Sequence, residues 1–460
     1  MDNDSERFEA NWLRFAIERE RIIRIPPDVI AEGRKRIAVI GAGISGLCSL
    51  KHLLEKPQFS PVVFEQNSKV GGVWYYTRNA FNDDGTPSHS GVYENLMTNG
   101  PKELMMFPGF PHDQKRDSYL HHKQMFDYIE QFTDFHEMKT YIKFNTVTTN
   151  IRPVKGDNNQ INWNVTYCER HSPDVTETEI FDGVIVCNGH YAKGIIPDIE
   201  GINHFTGDVI HSKEYRRPDV YKGKRVLIIG ASFSGMDISF DVAKTAKQVY
   251  MSHRHEAYKT ELPSNVLQRL NVRQIAEGNK VVFKDGSEAN IDSIILCTGY
   301  SYDFPFLADD VMQVRNERLT PLYKHLVHIK YPNLLFVGIP KCVSYFIQAH
   351  EQARAAVAIL EGHIQLPSEQ EMLKDAEEDF RQKKNEFNLT ELQAHYMGKG
   401  DLQWRLNEAH AKLCGFDKLP QVFADMQCSV QKSRSADFGA FRKINYFFKD
   451  SKSFGIQKIN

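Results

Sequence analysis

Phe205–Gly235 reads FTGDVIHSKEYRRPDVYKGKRVLIIGASFSG. A polar loop carrying His211 and Tyr215 leads into a short apolar strand, Lys224 to Ile229, and then into the turn Gly230-Ala-Ser-Phe-Ser-Gly235. A strand, a glycine-rich turn and a helix in that order aim backbone N–H groups and the positive end of a helix dipole at a ligand's phosphates. A similar unit stands near the N-terminus. There Arg36 to Ile40 is an apolar run, Gly41-Ala-Gly-Ile-Ser-Gly46 is the turn, and Leu47, Leu50 and Leu54 recur at helical spacing before a second apolar run, Val62 to Glu65. The spacing predicts a βαβ unit with Gly41, Gly43, Ser45 and Gly46 around a pyrophosphate. Glu65, nineteen residues after Gly46, sits where an acid accepts hydrogen bonds from ribose hydroxyls. The chain is therefore expected to hold two dinucleotides.

The second unit differs in its chemistry. Met236, Phe240 and Ala243 give the helix face, and the next strand, Val249 to Ser252, ends in Ser252-His253-Arg254 with no acid. An acid there would repel a 2′-phosphate, whereas Ser252 and Arg254 can donate to it, so NADP is favoured over NAD. The bland alternative is a solvated basic turn. Ser232 and Ser234 complete this turn with Gly230 and Gly235; Ser232 replaces the middle glycine and narrows the backbone's approach to phosphate. Each unit is followed by a strand of one design, Phe181 to Gly189 and Ser293 to Tyr300. The run Asn333 to Gly338 reads as a strand returning to the first domain, with Glu351-Gln-Ala-Arg354 at the head of the next helix. The expected fold is α/β: two Rossmann-like domains, the second (217–330) inserted in the first (34–216 and 331–460), with a helical C-terminal region. Residues 1–33 form an extension with a helical pattern at Phe8, Trp12, Phe15 and Ile17, read as a cap on the core or a subunit contact; a homo-oligomer stays open.

Composition narrows the class. The 460 residues are 41% hydrophobic, enough for sizeable cores. Lys+Arg 57 against Asp+Glu 59 leaves a net charge of -2, which does not point to nucleic acid or an anionic membrane. The acidic, interrupted N-terminus is unlike a signal peptide, so a cytoplasmic protein is expected. The nearest of the seven cysteines, Cys414 and Cys428, are fourteen apart, so there is neither a redox C-x-x-C nor zinc spacing; no metal is expected.

Phe205-x-Gly207-x-x-x-His211-x-x-x-Tyr215 between two glycine turns resembles the identifying motif of flavin-containing monooxygenases. GAGISGL at 41–47, GGVW at 71–74, LMTNGPKELM at 96–105, CTGY at 297–300 and the EQAR helix also look like that family, from about Arg34 to Gly415. Baeyer–Villiger relatives carry tryptophan where this chain has Tyr215, which favours heteroatom oxygenation. The resemblance implies FAD at the first turn, with Gly72, Trp74, Asn99 and Gln352 beside it, and NADP(H) at the second, with His211, Tyr215, Thr298 and Gly299 placing it. It also implies a soluble enzyme, since this chain lacks the family's vertebrate membrane tail.

By that resemblance NADPH reduces FAD, O2 adds to give a C4a-hydroperoxide, and an amine or sulfide takes the distal oxygen. The oxidised nicotinamide stays as a lid against water. Asn99 is the candidate catalytic polar group, although Asn99-Gly100-Pro101 is also a good turn. His211 and Tyr215 are read as structural and cofactor-positioning. An NADPH:FAD reductase or oxidase that makes H2O2 or reduces a partner shares both turns but leaves the 205–215 motif without a purpose. A non-catalytic dinucleotide sensor leaves both complete sites without one.

Overall fold

The computed structural model describes residues 33–82, 85–156, 160–254 and 258–459; the helical pattern at residues 8–17 lies outside them. Strand β1 (Lys35–Ile40) ends in four buried residues, as a strand covered on both faces must. Helix α1 (Ile44–Leu54) follows, then β2 (Phe59–Phe64), parallel to β1 from Lys35↔Phe59 to Ile40↔Phe64. Helix α2 (His122–Phe135) precedes the short β3 (Ile142–Lys143) and a three-stranded antiparallel sheet, β4 (Thr146–Lys155), β5 (Ile161–Glu169) and β6 (Ser172–Phe181). Strand β7 (Gly183–Val186) then joins β1 on its other side, Ile37 opposite Gly183.

The second domain repeats this plan. Its sheet holds β8 (Asp208–His211), β9 (Arg225–Ile229), β10 (Gln248–His253), β11 (Val266–Leu270) and β12 (Ser293–Leu296) in the order β11-β10-β9-β12-β8, all parallel, with α3 (Phe233–Ala243) after β9. The two sequence-matched strands sit alike, β7 beside β1 and β12 beside β9. The chain then returns through β13 (Leu322–Tyr323), β14 (Val327–His328) and β15 (Leu334–Phe336), giving a first sheet of order β13-β14-β15-β7-β1-β2-β3. The second domain is thus an insertion between β7 and β13. Strand β8, ahead of the expected boundary at 216, pairs in the second sheet, because its register with β12 (Leu296↔His211) puts it at that sheet's edge.

Three further features have physical causes. The helix with the EQAR residues, α4 (Tyr345–Glu361), starts six residues earlier, so Glu351 lies in its second turn and α4 buries thirteen residues against α1 and the sheet. The Gly/Asn/Pro-rich segment near residues 96–111 is irregular, yet it is core. Phe107 and Phe110 are buried, Phe107 stacks on Phe132 with centroids 3.8 Å apart, and the Tyr128 hydroxyl takes the Phe107 N–H (2.7 Å) and donates to the Phe110 carbonyl (2.5 Å). That hydroxyl satisfies backbone groups that a loop in the core would otherwise leave unpaired. The C-terminal region has the expected helices, α5 (Glu369–Phe387), α6 (Leu402–Cys414) and α7 (Gln421–Ala436), but ends in an antiparallel hairpin, β16 (Ile444–Phe448) and β17 (Phe454–Lys458). Tyr446 of the hairpin joins Phe423, Met426 and Val430 of α7 in a small core that also takes Leu104 and Tyr119.

Candidate cofactor and oxygenation site

At the first turn Gly41 and Gly46 are required by contact. Gly41 has φ 103°, and a Cβ there would lie 2.7 Å from the Cys187 carbonyl oxygen of the neighbouring strand. A Cβ on Gly46 would lie 1.8 Å from the Gly41 oxygen. Gly43, the N-cap of α1, faces Gly72: a Cβ on Gly72 would come within 3.1 Å of the Gly43 Cα. No side chain caps α1, so its first N–H groups are left for an anion. Glu65 is buried and accepts from the Ala42 N–H (2.7 Å) and from the Asn67 backbone and side-chain N–H groups (2.8 Å each). Burial pushes its carboxyl up and these donors oppose that. A carboxylate has about four acceptor positions, so one stays open to a hydroxyl. Ser45 Oγ meets the Tyr345 hydroxyl at 2.9 Å, and Trp74 is half-buried against the core. Gln352 is fully buried; its oxygen accepts from the Gly338 N–H (3.0 Å) and its nitrogen donates to the His325 carbonyl (2.8 Å). Its oxygen is thus committed to the Gly338 turn and its nitrogen to the segment at His325. A cradle that any Cβ would fill, an uncapped helix and a buried acceptor fit FAD.

The second turn has the same construction. Gly230 has φ 102°, with a virtual Cβ 2.3 Å from the Cys297 oxygen, and Gly235 repeats the 1.8 Å approach, here to the Gly230 oxygen. Ser232 occupies the place of Gly43 as N-cap of α3, at φ -83°, which any L residue adopts, and its side chain is exposed. At that φ the serine fits without backbone strain. Ser234 is half-buried in the first turn, and no side chain caps α3. Ser252 is buried and donates to the Leu270 carbonyl (3.2 Å), while Arg254 stands exposed at the end of β10. Thr298 Oγ1 donates to the Ile195 carbonyl (2.5 Å). His211 is buried; Nε2 donates to the Gly299 carbonyl (3.1 Å) and Nδ1 accepts from the Lys213 N–H (3.1 Å), a pairing that suits a neutral ring, and burial holds its pKa down. The Tyr215 hydroxyl donates to Asp241 on α3 at 2.7 Å, and its ring meets Tyr93 edge-on at 5.3 Å. Both motif residues therefore fasten the loop to the second domain's sheet and helix.

Asn99 is tied to α3 through an arginine. Its Oδ1 accepts from Arg442 (2.5 Å), which also makes a bidentate ion pair with Asp237 of α3.

The Flavin-binding monooxygenase-like family model matches residues 34–262 and 256–403. The chain belongs to this family. A flavin-containing monooxygenase of Arabidopsis thaliana, FMO GS-OX3, is 38% identical over 361 residues, 74% of this chain and 77% of that one. The structure of S-allyl-L-cysteine S-oxygenase from Allium sativum superposes with a TM-score of 0.81 at 30% identity over 89% of this chain and 95% of that one. Tmm from Pelagibacter superposes at 0.79, 26% identical, over 92% and 96%. Cyclohexanone monooxygenase at 14% identity shares the fold (TM-score 0.59, 83% and 98%). The chain is a flavin monooxygenase that uses FAD and NADPH with O2.

Several residues of this flavin monooxygenase's candidate site escaped the sequence reading. Gly71 (φ 109°), within the GGVW motif, and Gly338 (φ 98°), at the end of a predicted strand, were not singled out; a Cβ on Gly338 would lie 2.5 Å from Ser45 Oγ. Asp237 and Asp241 sit four apart on one face of α3, a spacing visible in the sequence but without meaning until their partners are known. Arg442 had no local signal. No described helix is long and apolar enough to cross a membrane.

Proposed function

We propose that this enzyme transfers one oxygen atom from O2 to a soft sulfur or nitrogen of a small molecule, with sulfur favoured, at the expense of NADPH. Support for sulfur comes from the likeness to the Allium S-oxygenase along nearly the whole described chain. The chain's own residues bind and orient. Gly41, Gly43 and Gly46 admit one pyrophosphate to the α1 N-terminus, and Gly230, Ser232 and Gly235 admit the other to α3. Glu65 takes a ribose hydroxyl, and Arg254 is the exposed cation available to a 2′-phosphate. Bound FAD, once reduced, supplies the oxygen-activating chemistry. Asn99 offers amide N–H groups beside it.

The reductase reading has no C-x-x-C pair to work with. Burial pushes the thiols of Cys187 and Cys297 up to about 12 and that of Cys48 higher still, so none of these three is a ready thiolate. A cytoplasmic setting belongs to the same proposal. With an alkyl aryl sulfide and a tertiary amine as probes, NADPH oxidation should be matched mole for mole by sulfoxide or N-oxide. If every such compound leaves all the NADPH accounted for as H2O2, the chain is an oxidase.

A further inference from the structure

The arginine that meets Asn99 comes from the far end of the chain. Arg442, between α7 and β16, donates through Nε to the Thr98 carbonyl (3.0 Å), through Nη2 to Asn99 Oδ1 (2.5 Å), and through Nη1 and Nη2 to the two oxygens of Asp237 (2.9 Å each). Its guanidinium lies 4.5 Å over the Phe441 ring, and the Asp237 side chain is only 10% exposed. The arrangement is specified on every side.

A guanidinium has five N–H donors and no acceptor. Asn99 can therefore face it only with oxygen, and its amide nitrogen, with two N–H groups, points the other way. Turning the amide over would set donors against donors in a half-buried site. The same loop is also held directly to α3, because Asn95 Nδ2 donates to Asp241 (2.9 Å). Arg442 thus bridges the loop of the first domain to the helix that opens from the second glycine turn.

We propose that Arg442 is a positioning residue for Asn99: it holds the amide with its N–H groups away from the guanidinium and free for the reacting side, and it ties that orientation to the NADP-domain helix. The inference rests on the reading of Asn99 as the polar group beside the flavin. Without Arg442 both amide orientations become accessible, and turnovers that find the wrong one release H2O2 in place of product.

The test uses holoenzyme and measures product and H2O2 per NADPH, with FAD content as the control for folding. Arg442→Gln should keep its FAD while product per NADPH falls roughly two- to ten-fold, less than outright loss of a well-placed donor. Arg442→Lys, which can still donate to the Asn99 oxygen, should recover part of the loss. On an Asn99→Ala background, Arg442→Gln should change coupling no further. An equal further loss there, or a fully coupled Arg442→Gln, overturns the proposal while leaving Asn99 in place. A fully coupled Asn99→Ala overturns the Asn99 reading and the proposal with it. If unpaired Asp237 prevents Arg442→Gln from folding, Arg442→Gln with Asp237→Asn removes both charges and carries the same expectations.

Discussion

The Tyr215 hydroxyl and the Asp241 carboxylate are joined by a 2.7 Å hydrogen bond in the core of the second domain. Asp241 has further donors in Asn95 Nδ2 and Lys244 Nζ, both at 2.9 Å. Tyr215→Phe removes one bond to a charged group and should lower stability by about 1.5–3 kcal/mol, read as a lower urea midpoint. FAD content and product per NADPH should stay unchanged. A variant with normal stability but lost coupling would assign the hydroxyl to chemistry.

The first turn has no room for a side chain at Gly46, while the second already carries one at Ser232. Gly46→Ala should purify with little FAD, because its Cβ would lie 1.8 Å from the Gly41 oxygen, whereas Ser232→Gly should leave the KM for NADPH within about three-fold, about 0.6 kcal/mol. Flavin absorbance per polypeptide and steady-state kinetics read the two outcomes.

Arg254→Ala should raise the KM for NADPH roughly ten- to a hundred-fold, the range of one charge-assisted bond, with the KM for NADH nearly unmoved. Since Arg254 is exposed, the parent's KM for NADPH should also rise with salt. Equal effects on both nucleotides would refute the 2′-phosphate role.

Glu351, fully buried on α4 with Arg354 no nearer than 3.8 Å, has its carboxyl pushed up by burial from an ordinary 4.5 to about 7. The folded protein binds the extra proton between those values, so this residue's contribution to stability falls as pH rises through that window and stays low above it. The slope is at most about 1.4 kcal/mol per pH unit. Glu351→Gln should therefore match the parent near pH 4.5 and exceed it at pH 8, as measured by thermal unfolding at both. A parent-minus-variant stability difference that rises or stays flat across this window would contradict the assignment.

Much of the fold was legible because its signals are local. The periodicity of Leu47, Leu50 and Leu54, the apolar runs on either side and the glycines at 41, 43 and 46 lie within one βαβ unit, and the same holds for 224–252. The insertion was legible because two strands of one design each follow a glycine turn. The start of α4 was misplaced because its first turn, Tyr345 to Gln348, is held by contacts distant in sequence, Tyr345 with Ser45 and Phe346 with Phe107 and Tyr128. The hairpin was missed because its alternation, Ile444, Tyr446 and Phe448, is short and follows three helices.

The sequence by itself determined two phosphate-binding turns, the absent acid at the second, and the motif that marks the family, since each depends on residue types within a few positions of one another. Only the tertiary structure decided what those residues touch. It showed Ser232 to be an exposed N-cap, turned Ser252's hydroxyl into the sheet, bound both ends of Gln352, and brought Arg442 to Asn99 across 343 positions. Hydrogen bonds between segments so far apart are set by how the domains pack, and packing leaves no periodic trace in the chain.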